Sequence, residues 1–299
     1  VGAMVDKALL VSEKPFDPVP TRARKALMEF LRLVTSTSVF LAINAQMVAA
    51  FSSLLYGVRV EPRVLLIAFF VTFSVYNMNR ATDRAEDSIN RPETARRGAP
   101  FFLIPSFTAS VLCLLLSASM GSVALSVVLT SFVASLAYSV RLMPSIPRLK
   151  EVVGVKSLLV ALSWGFTGAL LPASAQAVDL VRVAAVFTYI FIQLLVNTVL
   201  CDICDVEGDR ASGVRTLPIA LGLSRTRSLL LAVNSFMLPW LLYCTTRGLF
   251  LEYMPALFFG AVYGYLIIWV FTRKGHNRLV VELAVDGEWI PLVALMRLL

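Results

Sequence analysis

Carboxylates gather in two blocks of this 299-residue chain, Asn79-Arg80-Ala81-Thr82-Asp83-Arg84-Ala85-Glu86-Asp87 and Asp202-Ile203-Cys204-Asp205-Val206-Glu207-Gly208-Asp209. On an α-helix Asn79, Asp83 and Asp87 recur at i, i+4 and i+8, and Asp202, Asp205 and Asp209 at i, i+3 and i+7, so each set is expected to form one stripe. Like charges at that spacing repel, more strongly the drier the site, and call for something cationic between them. An all-oxygen ligand set without histidine suits Mg2+, which keeps several waters and takes up substrate phosphate oxygens. Two facing stripes ringed by Arg and Lys describe a cradle for a magnesium diphosphate. The plainer alternative is a pair of solvated helix ends whose acids pair with Arg80, Arg84 and Arg210. Two matching stripes on one membrane face weigh against it, because ionisable groups at membrane depth cost roughly 2.5–3.5 kcal/mol each and tend to mark functional sites. Glu86 and Glu207 fall off the stripes and are expected to face the loops or to stand behind the metal ligands, and Arg80 is expected outside the metal site.

The elements that must position these acids are membrane helices. With 58% hydrophobic and 15% charged residues and a mean hydropathy of +0.78, the chain is too apolar for a soluble domain. Windows long enough to cross a bilayer fall at 33–56, 64–79, 101–118, 122–140, 152–172, 180–201, 226–246, 251–271 and 279–299. The last is interrupted by Glu282, Asp286 and Glu288. With a cytoplasmic N-terminus, one face collects 22 of the 27 basic residues and the other holds only Arg59, Arg63, Arg182, Arg247 and Arg297. Nine spans with the C-terminus outside are therefore expected, in what is read as a prokaryotic cell membrane. The net charge of +8 is then a topology signature that also attracts anionic lipids or a diphosphate, and it does not point to nucleic acid.

Residues 1–32 read as a polar cytoplasmic leader, broken by Pro15, Pro18 and Pro20, with an amphipathic interfacial stretch over 21–33 and no cleavable signal peptide. Residues 33–299 read as a single transmembrane domain. A faint parallel repeat, about 33–150 and 151–272, makes two four-helix units plus a ninth helix, with Asp83-x-x-x-Asp87 and Asp205-x-x-x-Asp209 in equivalent places. Cys201-x-x-Cys204 lacks a second pair or a nearby His and reads as small residues at a helix end. The lone His276 reads as a loop residue. Asp286 is placed on the side opposite the acid blocks, where its replacement would be nearly silent.

The Asn79, Asp83 and Asp87 pattern followed by Ile89-Asn90-Arg91-Pro92, and Asp202 to Arg210 followed by Arg215-Thr216-Leu217-Pro218, resemble the two aspartate-rich motifs of the UbiA superfamily of intramembrane prenyltransferases. The resemblance covers nearly the whole chain. It implies an all-α protein with a ring of helices around a central cavity, loop caps after the second and sixth helices, and Mg2+-dependent use of an isoprenyl diphosphate. Two departures stand out. Arg80 follows Asn79 where the family often has Asp, and Leu142 replaces the Lys of a Tyr-x-x-x-Lys element begun by Tyr138. Arg141, Arg148, Lys150 and Lys156 are the candidates to supply that cation.

On this basis Asn79, Asp83, Asp87, Asp202, Asp205 and Asp209 are expected to hold two Mg2+ ions, with Asp83 and Asp205 central to catalysis. Arg84, Arg91, Lys150 and Lys156 would neutralise the departing diphosphate, and the ring of Tyr138 would stabilise an allylic cation. An apolar cavity would house the isoprenoid tail and exclude water. The leading expectation is prenyl transfer to an aromatic or lipid acceptor in quinone or lipid biosynthesis. Alternatives are ether-lipid formation on a glycerol phosphate and, in another class, a cation transporter with an intramembrane acidic site. A phosphatidyl-type alcohol phosphotransferase would require a single compact Asp-Gly block, and here the acids lie in two distant blocks.

Overall fold

The computed structural model describes residues 22–139, 148–273 and 276–299, which form helices and their connections with no strand among the described residues. Helix α1 (Arg22–Ser36) precedes α2 (Val39–Tyr56) and α3 (Pro62–Thr82), and two short helices follow, α4 (Arg84–Asn90) and α5 (Pro92–Ala95). Next come α6 (Ala99–Met120) and α7 (Ser122–Ser139); a 3-10 turn over Leu149–Glu151 then leads into α8 (Val155–Ala173) and α9 (Leu180–Ala211). The remainder comprises α10 (Leu217–Leu221), α11 (Leu223–Ser235), α12 (Met237–Thr246), α13 (Met254–Phe271), α14 (Arg278–Val285) and α15 (Trp289–Leu298).

Eight of these helical stretches are long and apolar enough to cross a membrane, with α11 and α12 together making one. Their outer faces carry large apolar side chains such as Phe107 (72% exposed) and Ile104 (67% exposed), as lipid contact requires. Helix α1 runs to Ser36, past the leader boundary expected at 32, and leaves Leu27 and Phe30 exposed. A left-handed Ser38 at φ 61° separates it from α2.

The expected ninth span, 279–299, is not one helix. Helices α14 and α15 flank a 3-10 turn over Asp286–Glu288. Pro291 lacks the N–H that would pair with the Gly287 carbonyl, so the α-helical ladder is interrupted there. Gly287 also permits a close approach, since a Cβ at that position would lie 3.0 Å from the Phe40 ring. The same chemistry divides α11 from α12, where Pro239 leaves the Ser235 carbonyl without its usual donor.

Helix α9 is the axis of the packing. Its 32 residues span about 48 Å, more than a hydrocarbon core of about 30 Å. Tyr189, Gln193 and Asn197 recur every four residues and bond to the Leu257 carbonyl (3.3 Å), the Gly260 carbonyl (3.1 Å) and the Val285 carbonyl (3.0 Å). The Tyr189 ring lies 5.2 Å from that of Phe51 and 5.1 Å from that of Trp240, and Phe51 meets Trp289 at 5.3 Å, tying α2, α9, α12 and α15 together. Elsewhere small residues let helices meet closely. Ser74 and Ser106 exchange bonds between α3 and α6, with the Ser106 hydroxyl donating to the Ser74 carbonyl at 2.8 Å. At Gly168 of α8 a Cβ would stand 2.6 Å from Val48 of α2 and 3.0 Å from Ile190 of α9. Gly168→Leu is therefore expected to cost about 1–3 kcal/mol by overpacking, visible as a lower midpoint of thermal unfolding in detergent. An unchanged midpoint would show that the three helices are not in this contact.

Candidate active site

The turn before α8 and the first turn of α8 deliver one lysine to each acid block. Lys150, 2% exposed in the 3-10 turn, donates to Asp83 at 2.6 Å and to Glu86 at 3.0 Å. Lys156, in the first turn of α8, bridges Asp202 (2.9 Å) and Asp209 (2.7 Å) across two turns of α9. Ser157 adds a 2.5 Å hydroxyl bond to Asp202. Buried carboxylates demand such partners, because loss of one partner of a buried pair costs about 3–5 kcal/mol.

Arginines join the two blocks to the last helices. Arg278 of α14 bonds to Asp205 at 2.6 Å, to Glu282 at 2.9 Å and to the Asn90 carbonyl at 3.1 Å. Arg91 pairs with Glu282 and lies 3.9 Å from Asp87, which Arg80 reaches at 3.3 Å. Asn90 clasps α9 from the other side: its amide donates to the Asp205 carbonyl at 3.2 Å, and its oxygen accepts from the Gly208 N–H at 3.0 Å. A Cβ at position 208 would sit 2.5 Å from the Asn90 amide, so the clasp needs glycine there.

The expected site residues are thus largely brought together. Asn79, Asp83, Asp87, Asp202, Asp205, Asp209, Tyr138, Arg91, Lys150 and Lys156 all line one cavity. Arg84 does not; it turns outward to the carbonyls of Arg97 (3.1 Å) and Ala95 (3.2 Å). The first block is not a continuous stripe either, because the helix breaks at Asp83 between α3 and α4, whereas the second block stays within α9. This break swings Glu86 inward. It is buried and bonded to Lys150, which also holds Asp83, and to Arg148, the second of the two places expected for it, while Glu207 is exposed. Arg80 also lines the cavity, as does Asp286, which the sequence had placed on the far side. The broken final segment explains this last correction: its turn opens Asp286 toward α9. Leu142 and Arg141 lie outside the described residues, and Lys150 stands 5.8 Å from the Tyr138 ring centroid. Cys201 and Cys204 are free thiols and His276 stacks edge-on against Phe271, without entering the acid network.

A second, apolar cavity opens from the first. Its walls come from α2, α3, α7 and α8, including Val48, Val71, Ala134, Leu159 and Gly168. The two share Tyr76, Asn79, Tyr138, Val160 and Trp164 at their junction, where Trp164 donates its indole N–H to the Tyr76 hydroxyl at 3.0 Å.

The lining of the acidic cavity fits hard cations by its chemistry. In the lining, Asp83, Glu86, Asp87, Asp202, Asp205, Asp209 and Asp286 stand against Arg80, Arg91, Lys150 and Lys156, with Arg148 and Arg278 bonded to Glu86 and Asp205 from outside it, so the lining itself carries an excess of negative charge that disfavours a free diphosphate. Every donor that these acids and Asn79 offer is an oxygen. Among the described residues no three acids already converge on one point, since ammonium and guanidinium groups stand between them. Burial pushes the Asp87 carboxyl above its usual range despite Arg80 and Arg91. Burial acts the same way on Glu86, but the Lys150 hydrogen bond, with Arg148 behind it, holds that carboxyl below the usual range. A carboxyl with a depressed folded pKa stabilises the fold above its unfolded pKa and loses that contribution as pH falls through the folded one. The thermal midpoint in detergent should therefore drop as pH falls below about 4, and Glu86→Gln should have a lower midpoint at neutral pH with a flatter acid limb. An acid limb identical in the two proteins would contradict the Lys150–Glu86 contact.

Comparison with known proteins agrees with this architecture. The UbiA prenyltransferase family profile matches residues 33–280. A digeranylgeranylglyceryl phosphate synthase of Natronomonas pharaonis is 30% identical over 177 residues, 55% of this chain and 60% of that protein. The enzyme of the same name from Haloquadratum walsbyi is 28% identical over 185 residues, 58% of this chain and 61% of that one. The matched stretch therefore spans about three fifths of these curated relatives. Among solved structures, a UbiA homologue from Archaeoglobus fulgidus bound to GPP and Mg2+ superposes with a TM-score of 0.66 at 17% identity, covering 90% of this chain and 96% of that one. At that identity the likeness is one of fold. Family match, fold and the paired acid blocks converge: the chain is an integral membrane protein of the UbiA prenyltransferase family.

Proposed function

We propose that this protein transfers a prenyl group from an isoprenyl diphosphate to the hydroxyl of a glycerol-phosphate lipid, forming an ether bond, with Mg2+ as cofactor. The observation that carries the reading is the junction of two unlike cavities, one lined by paired carboxylates and lysines and one apolar, meeting at Asn79 and Tyr138. A prenyl diphosphate has the same division, a polyanionic head on an apolar tail. The name borne by the two relatives favours a glycerol-phosphate acceptor over the aromatic acceptor expected first. A cation transporter is less well supported, since the acids are held by Lys and Arg and the cavity continues into an apolar pocket of no use to an ion.

Asn79, Asp83 and Asp87 on one side and Asp202, Asp205 and Asp209 on the other would hold Mg2+. When bound, the metal supplies positive charge that stabilises the departing diphosphate. The chain's own cations share that task. Lys150, Lys156 and Arg91 are already oriented by carboxylates, and on diphosphate entry each ammonium or guanidinium turns its hydrogen bonds from a carboxylate to a phosphate oxygen. Asn90 and Arg278 hold the two blocks in register while this happens. The Tyr138 ring faces the junction, where an allylic cation would form, and the apolar walls keep water from it. The basic face with both acid blocks is cytoplasmic in this reading.

The test is purified protein in detergent with Mg2+, a labelled prenyl diphosphate and a monoprenylated glycerol phosphate, scored for ether product. Asp83→Ala and Asp205→Ala are each expected to lower kcat/KM by about 100-fold or more, in line with loss of electrostatic stabilisation of a leaving group. Near-normal turnover by either variant, or turnover of an aromatic acceptor alone, would overturn the reading. A milder effect is expected from Arg84→Ala, within about threefold of the parent, because that side chain points away from the cavity.

A further inference from the structure

Away from the acid blocks along α9 the cavity reaches a recess lined by Asn44, Asn197 and Asp286, where the two amide oxygens lack a donor. Asn197 precedes Asp205 by eight residues on α9, which is about 12 Å along the helix. Its amide nitrogen is spent on the Val285 carbonyl and on Glu288 at 2.9 Å, which leaves its side-chain oxygen without a donor. Asn44 of α2 is in the same position, with its nitrogen bonded to the Phe40 carbonyl at 2.9 Å and its oxygen unpaired. Both residues are 1% exposed and both line the cavity. Glu288 keeps a second oxygen without a partner. Asp286, in the turn next to these groups, lines the same cavity and, among the described residues, is the one carboxylate there with neither an ion pair nor a hydrogen bond.

Buried oxygens that lack donors are costly, about 1–3 kcal/mol apiece, and they select a ligand that brings O–H groups. A diphosphate is the wrong partner, being itself an acceptor. We propose that the recess binds the hydroxyl end of the prenyl acceptor and that Asp286 is the catalytic base of the transfer. The inference rests on the prenyltransferase reading given above and deepens it. In the step, the bond from C1 of the prenyl chain to the diphosphate oxygen breaks and its electron pair leaves with the diphosphate. A lone pair of the acceptor oxygen forms the new C–O bond, and the proton from that oxygen passes to the Asp286 carboxylate. Asn44 and Asn197 orient the acceptor by taking hydrogen bonds from it. Neither needs to touch the diphosphate. The division of labour follows from charge: acids engaged by Lys and Arg handle the anionic head, and the unengaged acid handles a neutral hydroxyl that must lose a proton.

The test uses the full chain in detergent with Mg2+, measuring binding of a labelled prenyl diphosphate separately from transfer to a monoprenylated glycerol phosphate. Asp286→Asn should leave the affinity for the prenyl diphosphate within about threefold of the parent and lower kcat for transfer by at least about 100-fold. Asn44→Leu should raise the acceptor KM by about tenfold, the worth of one hydrogen bond, and leave the prenyl diphosphate affinity unchanged. Asp286→Asn with kcat within threefold of the parent overturns the inference. So does loss of prenyl diphosphate binding in that variant, which would assign Asp286 to the head-group site and leave the proposed function standing. If the parent protein itself binds no prenyl diphosphate, the function and the inference fall together.

Discussion

The constraint on which the structure depends is the cost of holding seven carboxylates around one cavity at the end of apolar helices. Unpaired, they would repel one another and lose their hydration. The chain meets this by bringing cations from segments far apart in sequence: Lys150 and Lys156 from the start of α8, Arg91 from the loop after α4, and Arg278 from α14. These contacts also fasten the helix ends. Lys150 fixes the bend at Asp83, Lys156 sets α8 against α9, and Arg278 draws the last helices over the cavity. Electrostatic balance and tertiary assembly are one arrangement at this end of the molecule.

Helix α9 carries both parts of that arrangement. Through the membrane its polar residues bond outward to α13 and to the turn before α15 by way of Tyr189, Gln193 and Asn197. Beyond Leu200 the same helix supplies Asp202, Asp205 and Asp209 to the cavity. A rigid rod with an aromatic belt around its middle thus presents acids at a fixed height. The first block is held differently, on a bent helix whose geometry depends on Lys150 and on the Asn90 clasp. The two halves of the chain therefore contribute similar chemistry on unlike scaffolds.

Much of this was legible in the sequence because membrane spans and acid spacing are strong, local signals. Hydropathy located the long helices, and the i, i+4 and i, i+3, i+7 spacings picked out the cavity acids. Other features depended on punctuation or on distance. Pro239 and Pro291 predict helix breaks by their missing N–H groups, and attention to Gly287 and Pro291 together would have shown that the last segment turns and that Asp286 faces inward. The bend at Asp83 has no proline or glycine to announce it, and it redirects the helix that carries Glu86, while Arg80 reaches Asp87 from the end of α3. Asn90 and Glu282 meet partners over 100 residues away, Asp205 and Gly208 for the one and Arg91 for the other, which spacing along one helix does not reveal, and Asn44 carries neither charge nor motif to mark it. Arg84 shows the converse: a charge beside a motif invites the motif's role, although its side chain satisfies the Ala95 and Arg97 carbonyls at the end of α5 and just beyond it.

The central claim is that the acid-lined cavity accepts a polyanionic head only together with divalent cations. Equilibrium binding of a labelled, non-hydrolysable prenyl diphosphate analogue to the protein in detergent, with Mg2+ and with excess EDTA, tests it directly. Saturable binding with Mg2+ that falls by about 100-fold or more with EDTA is the predicted result, as expected when an anion must enter a site of like charge. Binding of equal strength under the two conditions would show that Lys150, Lys156 and the arginines hold the diphosphate unaided, and would contradict the account.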